Sequence, residues 1–352
     1  TFDDIMNFEL LYLKQEYILY LVGVMIVAGI MKDSNYLNDF YQIIASKIKS
    51  KRLIVFLVSL ITGILPIPGR VTVSAGILDT LAPDKKLKKY AKSRSKFGII
   101  DYLATHHYYL WSPLEKTIIL PMAVLGLTYA EMLSYTLGLL IISVSYILWY
   151  IFGKMEEKDI VLTIKKEQIN WMRLITGALP LFVAIGLLVG GIEPWIVFSN
   201  ATLYYIARSS TYSLKTINSY VNWNLILTLA VIIILSNIIK VYYNDIETFL
   251  RISFFDMATI KGFIIVSAIA YGSSFVLGSS SKYAGIVALL AAIYGLEYLT
   301  WFIALEFSAY LISPTHKCTH IGRMYFGTTL KKYYAIVSLW TVIMIGYAYL
   351  II

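Results

Sequence analysis

Long apolar runs recur along the chain, and short polar or basic segments separate them. A helix needs about 20 apolar residues to cross the roughly 30 Å hydrocarbon core of a bilayer, or fewer when flanking side chains reach the interface. Five runs fit this length and predict simple transmembrane helices: 17–31, 131–152, 171–190, 223–239 and 333–352. With the stretches between them, the pattern predicts an all-α polytopic membrane protein of about 8–10 membrane segments.

Two further apolar stretches, 53–82 and 262–292, contain central turn signals. The first has Pro-Ile-Pro-Gly at 66–69 and basic clusters on both flanks, which favour the same cytoplasmic face. It therefore predicts a re-entrant helical hairpin, with two short full spans as the alternative. The second has Ser-Ser-Phe-Val-Leu-Gly-Ser-Ser-Ser at 273–281 and predicts a hairpin that dips from the external face.

Each hairpin is followed by an apolar stretch, 97–128 or 298–321, that contains a Ser-Pro pair: Ser112-Pro113 and Ser313-Pro314. Proline removes a backbone donor and clashes with the preceding turn, so both stretches predict broken helices. The eight residues from Tyr109 match those from Tyr310 at five of eight positions, and both hairpins contain Ala-Gly-Ile. These matches predict two inverted repeats, 1–153 and 171–352, joined by a cytoplasmic linker at 154–170.

Composition supports the membrane interpretation. Hydrophobic residues make up 59% of the chain and charged residues 14%, with a mean hydropathy of +0.71, so a water-soluble fold is excluded. The net charge of +9 lies in short clusters between apolar runs, which indicates orientation in a lipid bilayer and no nucleic-acid partner. The single cysteine, Cys318, excludes an intrachain disulfide. The acidic first residues indicate no cleavable signal. With the basic clusters on the cytoplasmic side, the order of membrane segments predicts an external N-terminus, and we expect the plasma membrane as the location.

Four of the 30 lysines and arginines fall inside apolar stretches: Arg70, Lys116, Lys282 and Lys317. A charge in the middle of the bilayer costs at least about 2.5–3.5 kcal/mol, so these residues should face a polar cavity and have partners. Hairpin tips and broken helices present free N–H groups and positive helix ends to an anion. The four cations therefore predict an anion site.

Two alternatives stay open for these cations. They could pair with nearby acids, Lys116 with Glu115 or Asp101 and Lys317 with Glu306, or their side chains could extend to the membrane interface. The serines of the second hairpin, among them Ser279 and Ser280, could bind the solute or only allow close helix packing.

Glu115, Glu306 and His316 are candidates for coupling transport to Na⁺ or H⁺, and His316 lies beside the second Ser-Pro pair. His316 and His320 are spaced i, i+4 but lack the acidic residue of His-Glu-x-x-His, so no metal site is expected. No sequence pattern for any other cofactor is present.

Several blocks resemble the uncharacterised membrane family known as domain of unknown function 401: Gly-Ile-Leu-Pro-Ile-Pro-Gly at 63–69, Val-Ser-Ala at 73–75, Trp-Ser-Pro at 111–113, Leu-Ile-Ser-Pro-Thr-His-Lys-Cys at 311–318 and Tyr-Phe at 325–326. That family is grouped with the ion transporter superfamily of gluconate, citrate, dicarboxylate and arsenite permeases. The resemblance implies inverted repeats with re-entrant hairpins, often a homodimer, and an elevator-like or rocking movement.

The resemblance also implies site residues: Pro68, Gly69, Ser112, Pro113, Ser313, Pro314 and His316. Arg70 departs from the family pattern, which usually has a small residue after Pro-Gly. Together with the residues chosen on their own chemistry, the expected solute-binding set is Pro68, Gly69, Arg70, Ser112, Pro113, Lys116, Ser279, Ser280, Lys282, Ser313, Pro314, Thr315, His316 and Lys317.

The function expected from these features is secondary transport of a small anionic solute, an organic carboxylate or an inorganic oxyanion, coupled to an ion or a proton. No enzymatic activity is expected. A transporter-derived scaffold or accessory subunit of a larger membrane complex is the main alternative, and an intramembrane hydrolase is a third.

Overall fold

The computed structural model describes residues 8–34, 38–63, 70–162, 171–177, 179–208, 212–242, 245–246, 248–249, 255–278 and 280–352. It is 84% helical, and its described residues contain no β-strand. The all-α prediction is therefore confirmed. The inverted repeats and the re-entrant course of the hairpins stay predictions.

The helices of the first half cover both arms of the first predicted hairpin and both halves of the first broken helix. They are α1 (Phe8–Asp33), α2 (Asn38–Lys47), α3 (Lys51–Gly63), α4 (Arg70–Leu81), α5 (Ala91–His106), α6 (Lys116–Leu125) and α7 (Tyr129–Leu148). A 3₁₀ turn, His107–Leu110, continues α5, and a π-helical turn, Trp149–Lys154, continues α7. The short helix α2 is an element that the apolar pattern did not predict.

The second half shows the same order of hairpin, broken helix and final helix. Its helices are α8 (Trp171–Gly177), α9 (Leu179–Val189), α10 (Pro194–Arg208), α11 (Leu214–Tyr220), α12 (Trp223–Val241), α13 (Ile260–Leu277), α14 (Ser280–Tyr294), α15 (Leu299–Ile312), α16 (Lys317–Phe326) and α17 (Leu330–Leu350). The arms of the second predicted hairpin are α13 and α14. The predicted tip of the first hairpin, 66–69, lies outside the described residues.

Three described helices are long and apolar enough to cross a membrane: α7 with its extension, α13 and α17. A fourth span results if α11 and α12, bent by 53° to each other, count as one. Apolar side chains on these helices point away from the protein, such as Val276, which is 71% exposed, and Val342. Lipid is a favourable environment for such surfaces, and the helices fit an integral membrane protein. The helix α13 alone is long enough to cross the bilayer completely. A re-entrant course of the second hairpin therefore stays a prediction.

The centre of the protein consists of α5 and α15, the first halves of the two broken helices, which are almost entirely buried. The first hairpin packs on α5 through α3 and α4, and the second packs on α15 through α13 and α14. The second halves pack across: α6 lies against α14, and α16 lies against α4. Each broken helix therefore contacts both hairpins.

The helix α5 approaches the end of α16 closely at Gly98. A Cβ atom at Gly98 would lie 3.2 Å from Phe326 Cβ and in steric conflict with Thr328 Oγ1. Thr328 Oγ1 also donates a 3.0 Å hydrogen bond to Ser95 O, which fixes this contact. A larger residue at position 98 would push the two halves of the protein apart.

We predict that Gly98→Val lowers the free energy of unfolding by about 1–3 kcal/mol, the usual cost of overpacking a core. The matched control is Gly76→Ala on α4, where a Cβ atom meets nothing within 4 Å. Alanine there should leave the stability unchanged or raise it. Thermal unfolding in detergent measures both variants, and equal midpoints for Gly98→Val and the wild type would contradict this packing.

The first described residues of the linker fasten the base of the first hairpin. The Glu157 carboxylate accepts from Arg52 Nε at 2.7 Å, from Ser50 Oγ at 3.0 Å and from the backbone N–H of Lys51. It thereby places negative charge at the positive N-terminal end of α3. Asp159 binds α5 through Lys96 and through Lys92 Nζ at 3.2 Å.

Hydrogen bonds from Lys96 and Lys92 lower the pKa of Asp159 below its usual value of 3.8. A carboxyl group with a lowered folded-state pKa contributes stability above its unfolded pKa, and the contribution is lost as the pH falls through the folded value. Asp159→Asn should therefore lower the thermal midpoint at pH 7, and the difference from the wild type should narrow towards about pH 3. Glu156→Gln is the control, because the exposed Glu156–Lys158 pair should contribute little. A difference that does not change with pH would show that Asp159 acts without its charge.

Candidate functional site

The chain leaves the helix at both Ser-Pro pairs and forms the same turn each time. At the first break, Ser112 Oγ accepts from the N–H of Leu114 at 3.3 Å; at the second, Ser313 Oγ accepts from the N–H of Thr315 at 3.3 Å. Serine side chains commonly replace helical hydrogen bonds in this way. The prolines thus produce two equivalent, locally stabilised breaks.

The similarity continues after the breaks. Both following helices, α6 and α16, have ten residues and begin with a lysine. They end at Gly126 (φ 73°) and Gly327 (φ 67°), whose left-handed conformation terminates a helix. Thr128 and Thr329 are then the N-cap residues of α7 and α17. The correspondence is therefore much longer than the eight residues that the sequence matches.

The two broken helices meet at the centre of the protein. Tyr109 Oη and Tyr310 Oη, 201 positions apart, are hydrogen-bonded at 3.0 Å. The Tyr102 hydroxyl donates to Leu311 O at 2.8 Å, and His106 Nε2 lies 3.0 Å from His316 Nε2. His106 and His316 are both fully buried. The sequence pattern favours His316 over His106 as a site residue, because only the fold brings the two together.

The second hairpin ends directly at the second break. Ser313 Oγ donates to Phe275 O at 2.6 Å, and Thr315 Oγ1 donates to Val276 O at 3.4 Å. Gly278 ends α13 with φ 53°, and a Cβ atom there would lie 3.1 Å from Ser313 Oγ and would overlap Thr315 Oγ1. Only glycine fits this conformation and this contact without strain.

The first hairpin also reaches its broken helix. The Tyr108 hydroxyl donates to Leu60 O on α3. A Cβ atom at Gly63, the last residue of α3, would overlap the Tyr108 ring. Each hairpin therefore has one arm that ends against the region of a break.

All four predicted intramembrane cations lie in the first turn of a helix. Arg70, Lys116 and Lys317 are the first residues of α4, α6 and α16, and Lys282 lies in the first turn of α14. Lys116 is half-buried and Lys317 is exposed. The side chains of Arg70 and Lys282 lie outside the described part of the structure. Only their charge distinguishes these residues in the sequence; their common position in the first turn of a helix is visible only in the structure.

The buried acids lie among the same elements. Glu306 on α15 is completely buried near Ser273, and neither of its carboxylate oxygens has a hydrogen-bond partner of ordinary geometry among the described residues. Within those residues Lys317 forms no ion pair, so the alternative Lys317–Glu306 pair is absent. Asp101 accepts a hydrogen bond from Ser74, and Glu115 is 7% exposed.

The other residues of the predicted solute-binding set occupy both buried and exposed positions. Pro113 is buried, and Pro314 and Thr315 are exposed at the second break. Ser280 is the first residue of α14. Pro68, Gly69 and Ser279 lie outside the described residues.

A cavity of about 650 Å³ lies elsewhere, between the start of α7, α1 and the loop before α10. Tyr17, Tyr129 and Trp195 line it together with Glu16 and Glu193. None of its lining residues belongs to the predicted anion site. No pattern in the sequence indicates this cavity, because its lining residues come from three distant segments.

These features define a helical protein with membrane-type helices and two broken helices that meet between two pairs of helical arms. The family described as "Protein of unknown function (DUF401)" matches residues 4–352, and the chain belongs to this family. No curated protein matches the chain. The resemblance drawn from the Ser-Pro and Pro-Gly blocks is confirmed at the level of the family.

The contact between the second hairpin and the second break can be tested at Gly278. We predict that Gly278→Ala lowers stability by about 1–3 kcal/mol, because alanine meets both a positive φ and the side chain of Thr315. Gly272→Ala on the same helix is the control, since a Cβ atom there meets nothing within 4 Å. Thermal unfolding in detergent compares the two variants. An unchanged midpoint for Gly278→Ala would show that the hairpin does not rest on the break.

Proposed function

We propose that the protein is a secondary transporter of a small anionic solute, an organic carboxylate or an inorganic oxyanion, of the kind found in the ion transporter superfamily. The observation that carries the proposal is the position of the four cations, each at the start of a helix beside a hairpin or a break. The proposal includes coupling to Na⁺ or H⁺.

A cation at the N-terminal end of a helix is electrostatically unfavourable. The unpaired N–H groups there carry about half a positive charge, and a lysine or arginine adds a full one, at a cost of about 0.3–1 kcal/mol each. Lys116, Lys317, Arg70 and Lys282 all occupy this position within apolar stretches. An anion that accepts from N–H groups of these first turns and lies close to the cationic side chains would offset both costs.

The packing supports two inverted repeats around this site. Tyr109 and Tyr310 are equivalent in the two breaks and are hydrogen-bonded to each other, as residues on a two-fold axis are. The same two-fold rotation would exchange the contact between α6 and α14 with the contact between α16 and α4. In transporters with inverted repeats, the solute site lies at the repeat interface, where the N-termini of half-helices face it.

Glu306 supports the coupling part of the proposal. A carboxylate buried without hydrogen bonds is costly, and a proton or a Na⁺ ion would remove this cost. Glu306 lies in direct contact with the first arm of the second hairpin, whose Ser274 Oγ donates to Glu306 O at 2.7 Å. Glu115 and His316 are the other coupling candidates. A homodimer and an elevator-like or rocking movement belong to the same proposal.

The test is uptake of anions by the purified protein in proteoliposomes, using a panel of mono-, di- and tricarboxylates and oxyanions with an imposed Na⁺ or H⁺ gradient. We expect flux of at least one anion, and about 10–100-fold weaker apparent affinity in Lys317→Ala, the loss expected for one charge-assisted hydrogen bond. Lys317→Arg should retain most of the affinity.

Lys215→Ala is the matched control, because Lys215 is also an exposed lysine in the first turn of a helix, α11, but lies away from the breaks. It should transport like the wild type. Flux restricted to neutral or cationic solutes would contradict the proposal, as would equal loss in Lys317→Ala and Lys215→Ala.

A further inference from the structure

Two histidines and the single cysteine of the chain converge at the crossing of the broken helices. The ligand atoms of His106, His316 and Cys318 all lie within 4.8 Å of one another, and the two Nε2 atoms are 3.0 Å apart. The chain has only four histidines and one cysteine in 352 residues, and His106 and His316 are 210 positions apart.

The hydrogen bonds fix the tautomers of both rings. His106 Nδ1 lies 2.5 Å from Tyr102 O, and His316 Nδ1 lies 2.8 Å from Tyr310 O. A carbonyl oxygen only accepts, so each Nδ1 must carry the proton and donate it. In the neutral rings both Nε2 atoms then hold a lone pair, and these lone pairs face each other. A positively charged species between them, either a shared proton or a metal ion, would stabilise this arrangement.

We propose that His106, His316 and Cys318 form a binding site for a borderline-soft transition metal ion such as Zn²⁺. Imidazole nitrogen and thiolate sulfur are the ligands such ions prefer. Zinc bonds of about 2.0–2.1 Å to nitrogen place two histidine nitrogens roughly 3.3 Å apart in tetrahedral geometry, close to the spacing here. Cys318 binds as the thiolate, and its proton is released on metal binding. Water supplies the fourth ligand.

The surroundings hold the ligands as metal sites do. A metal-binding histidine usually donates its other ring N–H to a carbonyl or a carboxylate, and both histidines do so here. The Tyr102 ring stacks on His106 with centroids 3.9 Å apart, and the Tyr310 ring stacks on His316 at 4.1 Å. The ligand rings are therefore fixed before the metal arrives.

The proposed metal would join the last turn of α5 to the second break and the first turn of α16. It would hold the two broken helices together at their crossing, whatever solute the protein transports. This site differs from the sequence expectation, which considered His316 only with His320; the structure places His320 at the surface, with Nε2 3.1 Å from Pro314 O.

The experiment is a titration of the purified full chain in detergent with Zn²⁺ after removal of bound metal, read by calorimetry, and with Co²⁺, read by absorption. We expect about one ion per chain and, with Co²⁺, the thiolate charge-transfer band that a cysteine ligand produces. His106→Gln and His316→Gln should weaken metal binding by more than about 100-fold, since even the loss of a hydrogen-bond partner of a ligand weakens binding roughly 10–100-fold. Cys318→Ser should abolish the charge-transfer band.

His320→Gln is the matched control, because His320 lies on α16 like Cys318 but outside the cluster. This variant should bind the metal ions like the wild type. All variants are first compared by gel filtration and circular dichroism in the absence of metal, so that loss of the fold is not read as loss of the site. Binding that is absent, or that persists at full strength in both His106→Gln and His316→Gln, would overturn the proposal. In that case the two histidines share a proton instead.

Discussion

A proline in an apolar helix releases backbone groups that lipid cannot satisfy, and this constraint organises the whole protein. Ser112-Pro113 and Ser313-Pro314 each follow an almost entirely buried helix, α5 and α15 respectively. The serine side chains satisfy part of the released N–H groups locally, and the hairpin carbonyls of Phe275 and Val276 accept from the second break. The breaks must therefore lie against other protein elements, and the hairpins provide them.

The same constraint explains why the two broken helices cross. Each break ends one helix and starts another, so each places a positive helix end inside the protein. Tyr109 and Tyr310 hold the crossing through one hydrogen bond, and the second halves of the broken helices then pack on opposite hairpins. The crossing thereby brings Tyr109, Tyr310, His106 and His316 together in the centre of the protein.

Much of the fold could be predicted from the sequence because proline, glycine and charge act locally. The Ser-Pro pairs located both breaks, and the lengths of the apolar runs located α7 and α17. The crossing could not be predicted, because it depends on contacts between residues about 200 positions apart, such as His106 with His316. The helix starts at Lys116 and Lys317 were missed for a different reason: no N-cap residue of the usual kind precedes them, since they follow glutamate and histidine. The cavity near Tyr17 and Trp195 was missed because its lining is assembled from separate segments.

The central claim is that an anion occupies the space at the helix starts of the breaks and hairpins. The most direct measurement is an electron cryo-microscopy map of the protein in lipid nanodiscs with a transported anion present. The account predicts anion density in contact with the first N–H groups of α6 or α16, with Lys116 or Lys317 beside it, at mid-bilayer depth. A map in which the four cations lie at the lipid headgroups, with protein side chains filling the space between the breaks, would contradict it.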